Sequence, residues 1–388
     1  MRSRPQEVRL GIIGLGVMGR HHAANVLAGK VPRLRLAAAA ETNPDKLQGL
    51  DGVRAFASPE AMIASGTIDA VLIATPHFQH TPLGIQALKA GLHVLVEKPI
   101  SVHKADAQRL IAAHRRKDRV FAAMFNQRTD PYFLHLRELI VRGELGEIRR
   151  VNWTITNWFR TERYYASGSW RATWAGEGGG VLLNQCPHNL DLLQWLFGLP
   201  RRVRAFCQFG RYHDIEVEDD VTAYLEFPNG ATGVFLATTG EAPGTNRLEV
   251  AGERGRVVYE RDQMAFTRNE VPMSEFSRRA EASFAQPATR ETVFTAPDHG
   301  PQHLGVLQNF TDAILDRAPL LCPAAEGIRS LELANAMLLS TWTGKTIELP
   351  MNARAYAGWL KRKIAASKPK RRIKARTSAD DFAKSFAR

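Results

Sequence analysis

An apolar run, Val8-Arg-Leu-Gly-Ile-Ile13, leads directly into Gly14-Leu-Gly16-Val17-Met18-Gly19 and then into helical spacing from Arg20 to Leu27. A glycine triad in that context, strand before and helix after, leaves few folds open. Gly14 permits the tight turn, Gly16 lets the backbone approach a pyrophosphate, and Gly19 lets the new helix pack closely on the strand, with its amino end towards the phosphates. Val17 and Met18 complete the expected dinucleotide-binding turn. A second apolar strand, Leu34 to Ala40, ends in Glu41, 22 residues after Gly19 and close to where an acid that binds the adenosine ribose belongs. Glu41 would accept hydrogen bonds from both ribose hydroxyls and repel a 2′-phosphate. No arginine follows it immediately, so NAD is favoured over NADP. A solvated strand end is the plainer alternative for Glu41.

Strands and helices go on alternating through the first third. Asp69 to Thr75-Pro76 reads as a strand and turn, Thr81 to Ala90 as a helix stopped by Gly91, Asp106 to Lys117 as a helix, and Val120 to Phe125 as a strand. Such alternation implies a doubly wound parallel sheet covered on both faces. Within it, Leu92-His-Val-Leu-Val-Glu97-Lys98-Pro99 delivers a lone ammonium to the carboxyl end of a buried strand. Ligands of doubly wound sheets bind beyond those ends, and Pro99 biases Lys98 away from the helical region. Lys98 is therefore a catalytic candidate, although long cations also cap strands with their heads in water. Thr75, Pro76, His80 and Glu97 join Lys98 as expected cofactor contacts.

At 388 residues the chain has room for two domains, and 44% hydrophobic residues suit a sizeable core. The reading is a Rossmann domain over 1–125, an α+β substrate domain over 126–353, and a basic, poorly ordered tail over 354–388. From Arg354 onward stand twelve Lys/Arg against Asp380 and Asp381, which is ten of the thirteen net positive charges. The body is thus near neutral, and no aromatic residues interleave with the charges of Lys368 to Arg376, which argues against a specific nucleic-acid site. No stretch approaches the roughly 18 apolar residues of a membrane span, and no signal-type segment precedes the first strand, so a cytoplasmic protein is expected. Cys186, Cys207 and Cys322 show neither paired-ligand spacing nor a disulfide framework. No metal is expected.

Beyond residue 125, after a helical connector from Tyr132 to Arg142, the pattern changes to longer alternating runs. These are Ile148 to Thr156, Val203 to Phe209, Val221 to Phe227, Ala231 to Thr238, Arg247 to Ala251 and Arg256 to Glu260. They imply an open, mostly antiparallel sheet with one exposed face. Helical patterns cover Pro187 to Phe197 and Ala324 to Thr343, and residues 262–300 read as irregular. Polar side chains cluster in Gly176-Glu-Gly-Gly-Gly180-Val-Leu-Leu-Asn184-Gln-Cys-Pro187-His188-Asn-Leu-Asp191. Pro187 suits a first helical position, which puts His188 in the first turn with Asp191 three residues on. Asp191 is expected to orient His188, while the helix start disfavours the protonated ring and keeps it available as a base.

Three motifs, Gly14-Leu-Gly-Val-Met-Gly19, Glu97-Lys98-Pro99 and Gly178-Gly-Gly-Val-Leu-Leu-Asn184-Gln-Cys-Pro-His188-Asn-Leu-Asp191, resemble in order and separation those of the glucose–fructose oxidoreductase and inositol dehydrogenase family (Gfo/Idh/MocA). The resemblance implies an N-terminal nucleotide-binding domain, an α/β domain whose open sheet serves in oligomerisation, and oxidation or reduction of a sugar, cyclitol or related carbinol. It implies that Lys98 is the catalytic lysine and that His188 exchanges a proton with the reacting hydroxyl. Asn184 falls where many members have an aspartate, which removes one carboxylate from the site. The chemistry asks for the same groups: a base for the hydroxyl proton and a positive charge for the developing alkoxide.

Between connector and histidine lies a loop rich in planar groups, Asn157-Trp158-Phe-Arg160 through Tyr164 to Trp174. Aromatic faces can stack on the C–H faces of a sugar while Asn and Arg donate to its hydroxyls. Trp158, Arg160 and Tyr164 are the expected substrate contacts, with Asn126 and Arg128 bordering the nicotinamide crevice. Arg160, Arg163 and Arg171 raise a substrate bearing a carboxylate, sulfonate or phosphate. The leading reading is an NAD-dependent oxidoreductase of a secondary hydroxyl of a sugar, sugar derivative or cyclitol; the resemblance implies a homodimer or homotetramer through the exposed sheet face. Two alternatives stay open: a glycosidase that oxidises its sugar transiently with NAD, and a non-catalytic nucleotide-sensing regulator.

Overall fold

The structure, a computed structural model, describes residues 6–168 and 170–368. Its first sheet contains β1 (Val8–Ile13), β2 (Leu34–Ala40), β3 (Arg54–Phe56), β4 (Ala70–Ile73), β5 (His93–Val96) and β6 (Phe121–Ala123). The order is β3-β2-β1-β4-β5-β6, with every pair parallel. Chain direction across the sheet reverses between β1 and β4, so a crevice opens beyond their carboxyl ends, at Gly14 and Thr75. β4 and β5 are buried at every residue, as a sheet covered on both faces requires.

The second sheet comprises β7 (Ile148–Ile155), β8 (Arg202–Phe209), β9 (Glu218–Glu226), β10 (Thr232–Thr238), β11 (Asn246–Gly252), β12 (Gly255–Glu260), β13 (Gln263–Asn269), β14 (Thr289–Phe294) and β15 (Ile347–Glu348). Its order is β14-β13-β12-β11-β7-β10-β9-β8-β15. All pairs are antiparallel except β10 with β7. One face is covered by the helices Pro187–Phe197 and Gly327–Thr343, and alternate residues of β8 and β9 point to solvent.

Several expectations need correction. Residues 262–300 are not irregular, for they form β13, the helix Met273–Arg279 and β14. β14 is exposed along nearly all its length, so its sequence carries no apolar alternation to read. The helix Gln302–Asp316 was also missed, although Val306, Leu307, Phe310 and Ala313 recur at helical spacing and are buried. It returns the chain to the first domain, where Arg33 bridges Asp312 and Asp316 and the Ala123 N–H donates to the Cys322 carbonyl. The basic tail does not begin at residue 354. Ala353–Ala365 is a helix capped by Asn352, with Tyr356 and Leu360 buried and Tyr356 stacked on Trp342 at 5.3 Å. Arg354, Lys361 and Arg362 are exposed while Tyr356 and Leu360 face the core, so an amphipathic helix stands where the charges suggested a tail. Residues 369–388 lie outside the described residues. Among the described residues, no helix is long and apolar enough to cross a membrane and no cluster of His, Cys, Asp or Glu could hold a metal.

Candidate active site

The glycine turn has the backbone its sequence asks for. Gly14 has φ +87°, and a Cβ at Gly19 would lie 1.9 Å from the Gly14 carbonyl oxygen, so only glycine lets the helix Val17–Leu27 start so close to β1. A Cβ on Gly16 would meet nothing within 4 Å, leaving open space in front of the helix start. Glu41 accepts from Leu15 N at 2.8 Å and Asn43 N at 3.0 Å, with the Lys46 ammonium 3.6 Å away. Burial raises its pKa, but these N–H donors and Lys46 outweigh it and hold the carboxyl below its ordinary value. Thr75 Oγ1 is buried at the crevice without a hydrogen-bond partner among the described residues. An open glycine turn, an ionised acid beside it and an unsatisfied hydroxyl fit a dinucleotide, and Val17 and Met18 sit at its mouth in the first helical turn.

His80 and Glu97 face inward instead. Both ring nitrogens of His80 lie 2.8 Å from carbonyls, those of Pro99 and Thr75, so it braces the turn. Glu97 accepts from His22 Nε2 at 2.7 Å and from Lys98 N at 3.1 Å. Burial alone would raise its carboxyl, yet His22, His303 and Lys98 bring it down to about 2. Glu97 thus pins β5 to the first helix, its carboxylate turned to His22 and the Lys98 N–H.

Lys98 carries the junction between the sheets. Its Nζ donates to the Asn184 carbonyl at 2.7 Å, tying the end of β5 to the loop before the helix Pro187–Phe197. Burial lowers the ammonium's pKa, opposed by Glu97 and Glu177 and assisted by Arg171 and Arg160. His188 stands in the first turn of that helix, its ring edge-on to Phe125 at 6.4 Å, just beyond the end of β6. Lys98 and His188 therefore each stand past the carboxyl end of one of two neighbouring parallel strands, Lys98 after β5 and His188 beside Phe125 after β6.

Asp191 does not orient His188. It is fully buried and takes two 2.7 Å hydrogen bonds from Arg128, whose Nη1 reaches Glu326 at 2.6 Å and the Leu321 carbonyl at 3.0 Å. Three residues of helix turn Asp191 inward, towards the core, so Arg128 is lost as a substrate contact in the same stroke. Asn126 is buried too, its amide donating to Gln302 Oε1 at 2.6 Å.

A carboxylate that sequence reading passed over stands near Lys98. Glu177 is 2% exposed, accepts from the Asn184 amide and takes Ala172 N at 2.6 Å. Burial pushes its carboxyl up, against the pull of Arg171, Ala172 N, Asn184 and Lys98. Asn184 Oδ1 accepts from the Tyr164 hydroxyl at 3.1 Å, and that hydroxyl takes Arg171 Nη1 at 2.9 Å and Gln185 Nε2 at 3.2 Å. An acid beside three glycines, seven residues before an asparagine that stands for an acid, was the available signal. Trp158 and Arg160 also belong here, the Arg160 guanidinium lying 5.3 Å from the Trp158 ring and 5.1 Å from that of Tyr164.

Comparison with known proteins gives one answer from two ends of the chain. Residues 8–125 match the model of an oxidoreductase family with an NAD-binding Rossmann fold, and residues 133–258 match a GFO/IDH/MocA C-terminal domain. The chain is 28% identical to an uncharacterized oxidoreductase, YdgJ, of Escherichia coli, over 84% of this chain and 94% of that one. It is 28% identical to myo-inositol 2-dehydrogenase of Thermotoga maritima, over 64% of this chain and 74% of the relative. Among solved structures it is similar to the WlbA dehydrogenase of Bordetella pertussis, in complex with NADH and UDP-GlcNAcA. That likeness has a TM-score of 0.75 and 27% identity, covering 89% of this chain and all of that one.

Proposed function

The chain belongs to the Gfo/Idh/MocA oxidoreductases and is an NAD-dependent dehydrogenase of the sugar and polyol type; from that premise we propose that it transfers hydride between nicotinamide and a secondary hydroxyl of a sugar, sugar derivative or cyclitol, with Lys98 and His188 at the reacting oxygen. The observation that carries this reading is the 2.7 Å bond from Lys98 Nζ to the Asn184 carbonyl, which fixes one ammonium proton and leaves two for a substrate oxygen. Gly14, Gly16, Val17, Met18, Glu41 and Thr75 would hold the dinucleotide, and bound NAD supplies the hydride acceptor.

Each side chain then has a definite task. Lys98 donates to the hydroxyl oxygen and stabilises its growing negative charge in a site where burial strengthens the attraction. The His188 imidazole takes the hydroxyl proton and passes it to solvent. Tyr164 and Trp158 offer ring faces to the sugar's C–H surface. Asn184 orients Lys98 through its backbone and Tyr164 through its side chain. Myo-inositol and UDP-GlcNAcA, the ligands named for the relatives, both present ring hydroxyls of this kind. A homodimer or homotetramer is proposed to form through the outward face of the second sheet, where Phe206, Tyr224 and Val234 are exposed.

Absorbance at 340 nm with NAD and a panel of cyclitols, free sugars, sugar acids and glycosides tests the reading. NADH should accumulate with one substrate group, and Lys98→Ala should lower turnover on the order of 10²-fold or more, as for a lost oxyanion donor. Near-normal turnover in that variant would remove Lys98 from the chemistry. Aglycone release without NADH would mean the transient-oxidation glycosidase instead.

A further inference from the structure

Several arginines beyond the first domain are paired with acids, as Arg128 is with Asp191, Arg149 with Glu253, Arg247 with Glu260 and Arg268 with Glu144. Arg160 and Arg171 are not. Among the described residues neither makes an ion pair, and each guanidinium has one hydrogen bond, Arg160 Nη1 to the Phe159 carbonyl and Arg171 Nη1 to the Tyr164 hydroxyl. Most of their five donors are uncommitted. Both are held in place by rings. Arg160 lies against Trp158 and Tyr164, and Arg171 lies 4.8 Å from the Tyr164 ring and 4.7 Å from that of Trp170.

These two cations border the lysine. The Tyr164 hydroxyl between them reaches Asn184, whose carbonyl holds Lys98 Nζ. Three positive groups thus converge on one half-buried crevice, and the carboxylate nearest to hand, Glu177, is already bonded to Ala172 N and the Asn184 amide. Glu177 acts on Arg171 through charge, but neither guanidinium is hydrogen-bonded to a carboxylate among the described residues; pinned, partly desolvated guanidiniums with open donors favour a ligand that fills them, and their planar forks match oxyanions. Resting on the dehydrogenase reading of this same site, we propose that the substrate carries an oxyanion, a carboxylate or a phosphate, received by Arg160 and Arg171 beside Tyr164 while Lys98 holds the reacting hydroxyl. The two guanidiniums are specificity residues in this scheme, and a neutral polyol is a poor substrate because it leaves both unpaired.

The test uses matched pairs on the NADH-loaded and NAD-loaded enzyme: D-glucuronate and D-glucose, D-galacturonate and D-galactose, and glucose 6-phosphate beside glucose. Binding is read from tryptophan fluorescence, since Trp158 and Trp170 flank the two arginines, and turnover from NADH. At least one oxyanion-bearing sugar should bind or react about 10²-fold better than its neutral parent, roughly the effect of one charge-assisted pair. Arg160→Gln and Arg171→Gln should each remove most of that preference, read as the ratio of charged to neutral sugar within each variant, and Arg160→Lys should restore part of it. The acid and phosphate arms tell which group the site takes. Neutral sugars bound as well as the charged ones, or no quenching by any charged one, would overturn the proposal. Charged sugars that bind through both arginines without forming NADH would leave it standing and count against the dehydrogenase reading instead.

Discussion

Asn184 removes one carboxylate from the neighbourhood of Lys98, and Glu177 returns one from a different direction. The two placements are not equivalent. The side chain at 184 lies between Glu177 and the Tyr164 hydroxyl, whereas Glu177 is buried behind that amide and acts on Lys98 through charge. Its expected effect can be signed. Burial lowers the Lys98 ammonium and Glu177 raises it, so Glu177→Gln should lower it further, and activity that needs the ammonium should fade at a lower pH on the alkaline side. A profile of kcat/KM from pH 6 to 10.5 should show that limb displaced downward, with roughly tenfold less activity at its alkaline end. A uniform loss with an unmoved limb would mean that Glu177 only packs. The positions of Lys98 and Glu41 beyond β5 and β2 were legible because each is the polar end of an apolar run, and that of His188 in a first helical turn because Pro187 precedes it. Asp191 was misread because spacing of three places residues on one face without saying which face turns to the core.

The glycine-rich loop before the helix Pro187–Phe197 rests on a second hidden acid. Glu218, at the start of β9, accepts from Gly180 N at 2.8 Å and Leu182 N at 3.1 Å while its other oxygen is buried without a partner. Burial pushes the Glu218 carboxyl up to about 8 despite those donors. Between the ordinary carboxyl pKa and 8 the unfolded chain ionises while the folded one keeps its proton, so this group lowers stability as pH rises. Glu218→Gln keeps the acceptor and cannot ionise. Melting curves should therefore show the variant gaining on the parent by a few kcal/mol between pH 5 and pH 9, and a constant gap would refute the assignment. Elements of this kind escape sequence reading because the alternating apolar residues of β9 announce a strand but say nothing of an acid at its first position. Five strands of the parallel sheet were legible from their apolar runs, whereas the short, largely exposed edge strand β3 was not. β14 was not, since an exposed edge strand needs no apolar face, and the helix Ala353–Ala365 was hidden by its own charges.

Across the molecule, Arg128 joins three stretches of chain: the turn after β6, the helix Pro187–Phe197 and the turn at Glu326. Replacing it with Ala would strand Asp191, which is wholly buried and whose carboxyl burial already pushes up. A loss of about 3 to 5 kcal/mol in denaturant unfolding is expected, with the double variant Arg128→Met/Asp191→Leu recovering much of it. A loss below 1 kcal/mol would show that the pair is dispensable. The net charge of +13 mattered less than its location, since most of it lies from Arg354 onward and the catalytic half depends on a few local charges.

The single parallel pairing in the second sheet has a consequence for the order of events during synthesis. β7 ends at Ile155, yet its two neighbours, β10 and β11, begin only at Thr232 and Asn246. Some eighty residues must leave the ribosome before the central strand of this sheet can be paired on either side, and until then it offers two open edges to any other strand it meets.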